Sequence, residues 1–560
     1  MRNKTEPQQE NLRSVVFEKK ELIKEHFLSK KTKYLYLLAG AVIVLGALFI
    51  RTYHLSSLPP GIYPDEAVNG TDAINAIETG NFKLFYPNNY GREGLYINLI
   101  ASGFVFFGAS VITLKMWSVF FGTLTVLGMI LLARELFKSW HAGLVAGFLY
   151  ATTFWAINFN RIAFRANMLP FVMVFSFYFL FKGLRTRKMR DYILAGAFFG
   201  LGVHTYIAFR IAPAILVALF IAFLLARKNF FREHWKEILV YLLTIFIIAL
   251  PILLTFYSHP EYFETRSEAV SVFSPKVNQG HLWKALKTST ALTLGMFNFH
   301  GDQNWRHNLP SQPELPFFIG LFFLFGAALL FIQILYWTYR RFRNKKRSDN
   351  LIISALLLSW LLIMLLPGLL AYEGIPHAIR TIGSLPAALL IAAYGIEIFY
   401  RQILKVKNKY VKIPAYLILV SVVLYSGCVS TRRYFVDWGQ SLEIHPAFSQ
   451  NFKNMALYIN NLPGSVHKYV VANAGGQIMD DGLPVSAEVV KLLTHYRTPG
   501  VSYLHRDFDP SAIKSPAKMV LMYYDGEVIA KIKSIYPGAT VQKLDPQPGN
   551  RTDSFVININ

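Results

Sequence analysis

Leu95-Tyr96-Ile97-Asn98-Leu99-Ile100-Ala101-Ser102-Gly103-Phe104-Val105-Phe106-Phe107-Gly108 is apolar enough to enter a membrane but too short to cross one. A spanning helix needs about 20 residues, and this run offers about 14. Whether it crosses sets the direction of every segment after it. Read as a helix lying in or dipping into the outer interface, it lets 112–133 run inward and deliver Arg134 and Lys138 to the cytoplasm. Segment 140–158 then runs out and 168–184 returns to Arg185-Thr186-Arg187-Lys188-Met189-Arg190. The pairs 192–208 with 211–226, 238–256 with 316–337, and 350–366 with 381–399 repeat that excursion, each ending in a basic cluster, and 413–430 leaves for good. Every strong cluster then lies on the cytoplasmic side, as the positive-inside bias requires. With 34–50 as the first span, the pattern predicts eleven spans, an inside N-terminus and an outside C-terminus.

Composition supports a polytopic membrane protein: 53% of the 560 residues are hydrophobic, 16% are charged, and the apolar residues fall in long runs. The net charge of +24 comes from Lys and Arg in short clusters between those runs. It therefore signals topology rather than a nucleic-acid partner. The lone Cys428 permits no intrachain disulfide. Residues 1–33 read as a basic cytoplasmic tail near anionic lipid, without a cleavable signal peptide. Residues 34–433 form the transmembrane region, with a first external loop at 51–111. From 434 to 560 polar residues dominate. Strand composition at 467–472, 518–524 and 554–559, with helical spacing at 486–496 and 526–536, predicts a small extracytoplasmic α/β domain.

The outer edges gather the chemistry. Pro59-Pro60-Gly61-Ile62-Tyr63-Pro64-Asp65-Glu66-Ala67 sets adjacent carboxylates just beyond the first span, and the same loop carries Arg92 and Glu93. Later loops add Arg161 and Arg165, then His204, Tyr206 and Arg210. The long fourth loop adds Asp302, Arg306 and His307, and the fifth adds Glu373, His377 and Arg380. Any one of these has an ordinary explanation, such as a helix cap or a snorkelling arginine. Their concentration on one side, against the positive-inside bias, marks an interfacial site. Internal repeats are absent and ionisable residues inside the spans are scarce, which is unlike many secondary transporters.

Three motifs in order, Asp65-Glu66, then Asn89-Tyr90-Gly91-Arg92-Glu93-Gly94-Leu95-Tyr96, then Arg134-Glu135-Leu136-Phe137, resemble those of the GT-C superfamily of membrane glycosyltransferases. The likeness is to the family 39 type, protein O-mannosyltransferases and lipid A aminoarabinose transferases, and covers roughly residues 34–230. It implies sugar transfer from a polyprenyl-phosphate donor to a protein, lipid or surface-glycan acceptor at the extracytoplasmic face of the cell membrane. Asp65 would be the catalytic base, with Glu66 beside it. Relatives often carry Arg-Thr-Asp-Met where this chain has Arg165-Ala166-Asn167-Met168. Asn167 brings no charge, so a divalent ion held between the first two external loops lacks one acid. The metal requirement stays open.

The residue chemistry fits independently of the likeness. Such a transfer needs a base for an acceptor hydroxyl and cations for charge developing on the departing phosphate. Arg161, Arg165, Arg210, Arg306 and Arg380 are candidates for the second role. A lipid-linked glycan flippase, with the same arginines docking the phosphate, is the alternative reading.

Overall fold

The structure is a computed structural model describing residues 29–264, 270–495, 498–544 and 554–560. The first 28 residues of the basic tail, and their expected surface helix, lie outside the described residues. So does Tyr496, at the end of one expected C-terminal helix.

Helix α1, Lys30–Thr52, starts where the Ser29 hydroxyl accepts the Thr32 amide. Helix α2, Pro64–Thr79, has proline at its first position and closes on Gly80 in the left-handed region, with φ +68°. Helix α3, Gly94–Phe107, is the 14-residue apolar run. At 1.5 Å per residue it reaches about 21 Å, short of the roughly 30 Å hydrocarbon core. It buries Tyr96, Ile97, Ile100, Ala101 and Phe104 and leaves Val105, Phe106 and Phe107 exposed.

The bundle continues with α4 (Val111–Phe137), α5 (Trp140–Thr152), the short α6 (Phe154–Phe159), α7 (Met168–Thr186), α8 (Met189–Leu201), α9 (Pro213–Ala226) and α10 (Phe230–Ser258). It is completed by α11 (Phe317–Asn344), α12 (Asn350–Leu369), α13 (Leu385–Lys405) and α14 (Lys409–Arg432). Among the described residues, nine helices are long and apolar enough to cross a membrane. The expected spans at 140–158 and 192–208 are each broken. Thr153, at ψ 131°, separates α5 from α6, and α8 passes into a 3-10 turn at Gly202–His204.

Helix α13 is the buried axis, with Trp360 of α12 and Trp155 of α6 fully enclosed nearby. Gly326 of α11 and Gly395 of α13 let the two backbones touch. A Cβ at Gly326 would lie 2.2 Å from the Ile391 carbonyl oxygen, and one at Gly395 2.4 Å from that of Phe322. Helices α1, α10, α11 and α14 instead carry large exposed apolar side chains such as Leu45, Phe246, Phe331 and Leu417, the surface that lipid would cover.

The two ends of the bundle differ. At one, Glu135 meets Lys138 and Arg185, Arg227 meets Asp349, and Arg401 meets both Glu397 and the Phe137 carbonyl. At the other lie residues 58–66, 160–167, 302–307 and 377–380, joined by the contacts described below.

The C-terminal region holds α15 (Gln450–Asn460), α16 (Glu488–His495), α17 (Gly526–Ile535) and a five-stranded sheet ordered β4-β3-β5-β7-β6. Its strands are β3 (His467–Val471), β4 (Val501–Leu504), β5 (Ala517–Leu521), β6 (Thr540–Lys543) and β7 (Phe555–Ile559). Strand β3 runs parallel to β4 and β5, whereas β7 is antiparallel to β5 and β6. Alternation sorts the two faces. Val470, Val520 and Val556 pack with α15, α16, α2 and α3 in one core, and Val471, Leu521 and Ile557 pack with α17 in another. The sheet domain thus shares a core with the first loop. A hairpin in that loop, β1 (Phe85–Tyr86) with β2 (Arg92–Glu93), sets the start of α3.

Candidate functional site

The stretch from Leu58 to Ala67 is held from three sides. Lys453 of α15 donates to the Pro60 carbonyl at 2.8 Å. Gly61 passes so close to the lead-in of α15 that a Cβ there would lie 1.9 Å from the Phe448 carbonyl oxygen. Glu66 takes the Tyr63 amide on Oε1 at 3.1 Å and the Ala163 amide on Oε2 at 2.6 Å, tying the start of α2 to the 160–167 loop. Burial pushes the Glu66 carboxyl above its ordinary range, a shift opposed by the Lys115 ammonium.

That grip leaves Asp65 half-buried, accepting from the Asn89 amide and close to Tyr63. Asn89 can reach it because it occupies the left-handed region of a turn, with φ +51°. The Arg306 guanidinium lies 4.3 Å from the Tyr63 ring centroid and is anchored by the Ala447 carbonyl at 2.7 Å. Burial and the Asp65 charge raise the Tyr63 phenol, which stays protonated. Tyr63 also lines a cavity of about 100 Å³ with Arg165, Tyr206, Asn304, His307, His377 and Arg380. Arg165 reaches it with its Nε 2.6 Å from Glu93 Oε2 and its guanidinium 5.4 Å from the Tyr206 centroid. Arg380 is tethered to the Glu373 carbonyl at 2.7 Å and carboxylate at 3.2 Å. Asp302 accepts His307 Nδ1 at 2.8 Å and lies 3.8 Å from His377 Nδ1.

Several residues expected to hold substrate make their contacts within the protein itself. Arg161 is fully buried, and all five of its donors are spent on the carbonyls of Ile50, Arg51, Tyr53 and Leu58 and on the Tyr434 hydroxyl. It satisfies the carbonyls at the C-terminal end of α1, which have no partners within the helix. Arg92 is buried on Asp72 and Asn69. His204 bonds the Ile248 carbonyl at 2.9 Å, facing α10. Arg210 stands behind Arg165, 3.9 Å from Glu93 Oε1, and donates to Phe263 O. Glu66, expected beside the base, has both oxygens occupied. Glu93 holds the two arginines from a buried position. Asn167 is buried too, bonding Ser118 O and accepting from Asn160.

Sequence reasoning passed over Tyr63 and Asn89. Tyr63 stood in plain view two residues before Asp65, but an aromatic at a membrane edge reads as an interfacial anchor.

The geometry can be set beside known proteins. Residues 95–256 match the family model described as Dolichyl-phosphate-mannose-protein mannosyltransferase. No curated protein matches the chain. Among solved structures, ArnT from Cupriavidus metallidurans bound to undecaprenyl phosphate aligns over 95% of this chain and 99% of its own, with a TM-score of 0.51 at 12% identity.

This is the GT-C fold.

A second GT-C structure, the archaeal oligosaccharyltransferase AglB from Archaeoglobus fulgidus in complex with an inhibitory peptide and a dolichol-phosphate, aligns over 84% of this chain at TM-score 0.51 and 16% identity. The chain spans 64% of that protein's length. The same archaeal enzyme tethered to an acceptor peptide aligns at TM-score 0.52 and 14% identity, over 91% of this chain and 69% of its own. The match to ArnT includes the C-terminal sheet region, since it runs over nearly the whole of both chains.

Proposed function

We propose that this chain is a glycosyltransferase that moves a sugar from a polyprenyl-phosphate donor to an acceptor hydroxyl, at the bundle end where Asp65 lies. The observation that carries the reading is Tyr63, which joins a half-buried carboxylate to a cationic cavity: it neighbours Asp65, whose charge adds to burial in raising its phenol, and it lines the pocket of Arg165 and Arg380. The arginine forks match phosphate oxygens. As the bond between the sugar's anomeric carbon and the phosphate oxygen breaks, Arg165, Arg380 and the neighbouring imidazoles take up the charge on the departing lipid phosphate. The acceptor oxygen bonds to the anomeric carbon, and its proton passes to Asp65. Glu66 and Asn89 position that base, and Arg306 holds Tyr63.

The basic clusters at the opposite end support an extracytoplasmic site in the cell membrane, with the N-terminus cytoplasmic and the sheet domain outside. The acceptor is a protein, lipid or surface glycan bearing a free hydroxyl.

Asp65→Asn keeps the shape of the side chain but loses the base. A general base contributes roughly 10²- to 10⁴-fold, so transfer from a labelled polyprenyl-phosphate sugar by the purified variant should fall by about that factor. Activity within threefold of the parent would remove Asp65 from the chemistry. Translocation of the labelled lipid in vesicles without bond cleavage would replace the enzyme by a flippase.

A further inference from the structure

Asp302, His307 and His377 come from two separate loops, and their ligand-capable atoms all lie within 4.8 Å of one another. Asp302 and His307 are almost fully buried, and the His377 side chain is 16% exposed. The carboxylate is fixed by backbone before any ligand arrives: Oδ1 accepts the Asn304 amide and Oδ2 the Ala378 amide, both at 2.8 Å. Glu314 accepts the Asp302 amide at 3.0 Å from behind. Preset carboxylates of this kind are how proteins orient metal ligands. The two imidazole rings lie 4.9 Å apart at 39°, and both line the cavity beside Tyr63, Arg165 and Arg380.

We propose that Asp302, His307 and His377 bind one transition-metal ion, zinc best fitting the donors, on the wall of that cavity. Two imidazoles and one carboxylate are the protein ligands of open zinc sites, which keep a position for water or substrate. Magnesium and calcium prefer oxygen-only shells. Bonds of about 2.0–2.1 Å place tetrahedral ligand atoms about 3.3 Å apart. The observed separations from Asp302 Oδ2, 2.8 Å to His307 and 3.8 Å to His377, bracket that value, so small side-chain rotations suffice. When the metal takes His307 Nδ1, the imidazole carries its proton on Nε2 and stays neutral. The site adds a dication to a pocket whose other cations are arginines, and it uses none of the residues of the first two external loops.

The test uses the full chain, purified in detergent without a histidine tag, stripped with a chelator and dialysed against zinc or cobalt(II). The expected result is one zinc per chain by elemental analysis, and with cobalt the strong visible absorption of a low-coordinate ion. His307→Ala and His377→Ala should each weaken binding by more than about tenfold, while His445→Ala, outside the triad, binds as the parent does. His377 is the more exposed of the two imidazoles, so its variant remains informative if His307→Ala fails to fold. No retained metal, or equal retention in His377→Ala and the parent, overturns the proposal and leaves the triad a hydrogen-bonded staple between two loops. Binding is measured without turnover, so its failure leaves the transfer reading standing, and a failure of transfer leaves the metal site standing.

Discussion

Replacing Arg161 by lysine separates a structural arginine from a substrate-binding one. The guanidinium serves five acceptors, at 2.7 Å (Ile50), 2.9 Å (Arg51), 2.7 Å (Tyr53), 3.0 Å (Leu58) and 3.1 Å (Tyr434 hydroxyl), with no exposed surface. An ammonium offers three donors at most, so at least two acceptors lose their partner in a place water does not reach. At about 1.5–3 kcal/mol for each hydrogen bond to a charged group, the loss is roughly 3–6 kcal/mol. The carbonyls involved close α1 and open the stretch that carries Asp65, so the damage falls on the joint between bundle and site. Thermal unfolding in detergent should show Tm lowered by roughly 3–5 °C for a chain of 560 residues, with the KM of the folded fraction for a polyprenyl-phosphate sugar changed by no more than about twofold. An unchanged Tm with a KM raised about tenfold would refute the structural assignment and return Arg161 to the donor pocket.

Two further perturbations probe the same joint. Gly61→Ala forces a Cβ onto the Phe448 carbonyl, 1.9 Å away, at a cost of about 1–3 kcal/mol. It should lower transfer more than stability because it shifts the start of α2, while Gly46→Ala, which meets nothing within 4 Å, should leave transfer unchanged in the same assay. Glu66→Gln tests linkage. The folded Glu66 carboxyl titrates above its ordinary value of 4.5, so its contribution to stability is full below that pH and is lost as pH rises through the higher folded value. Gln does not titrate and mimics the neutral acid, so the variant should match the parent most closely near pH 4.5 and gain on it in Tm toward neutrality. A constant difference would mean that Glu66 is not shifted.

Nine of the eleven expected spans were legible among the described residues because a membrane imposes a length on apolar runs, a signal that needs no tertiary knowledge. The same length rule kept Gly94–Phe107 out of the count, and the structure places it against α2 and α4. The sheet was half legible. Strands β3, β5 and β7 are buried and rich in Val, Ile and Met, whereas β4 and β6 are the sheet's two edges, are more exposed, and lack the apolar alternation that betrays a strand.

The candidate site could be assigned from sequence to a set of loops but not to particular side chains, and Arg161 and Arg165 show why. They are four residues apart in one irregular loop and chemically identical. Arg161 is claimed by the open end of α1 and the Leu58 turn, which supply four buried carbonyls. Arg165 is claimed by Glu93, which is itself fixed by the β1–β2 pairing and leaves one side of the guanidinium toward the cavity. Neither claim has a period, because loops obey no 3.6- or 2-residue repeat that would assign a side chain to a face. What decides between a structural and a substrate-facing arginine here is the nearest unsatisfied acceptor, and that acceptor is supplied by chain more than 70 residues away, at Glu93 for Arg165 and at Ile50 to Leu58 for Arg161.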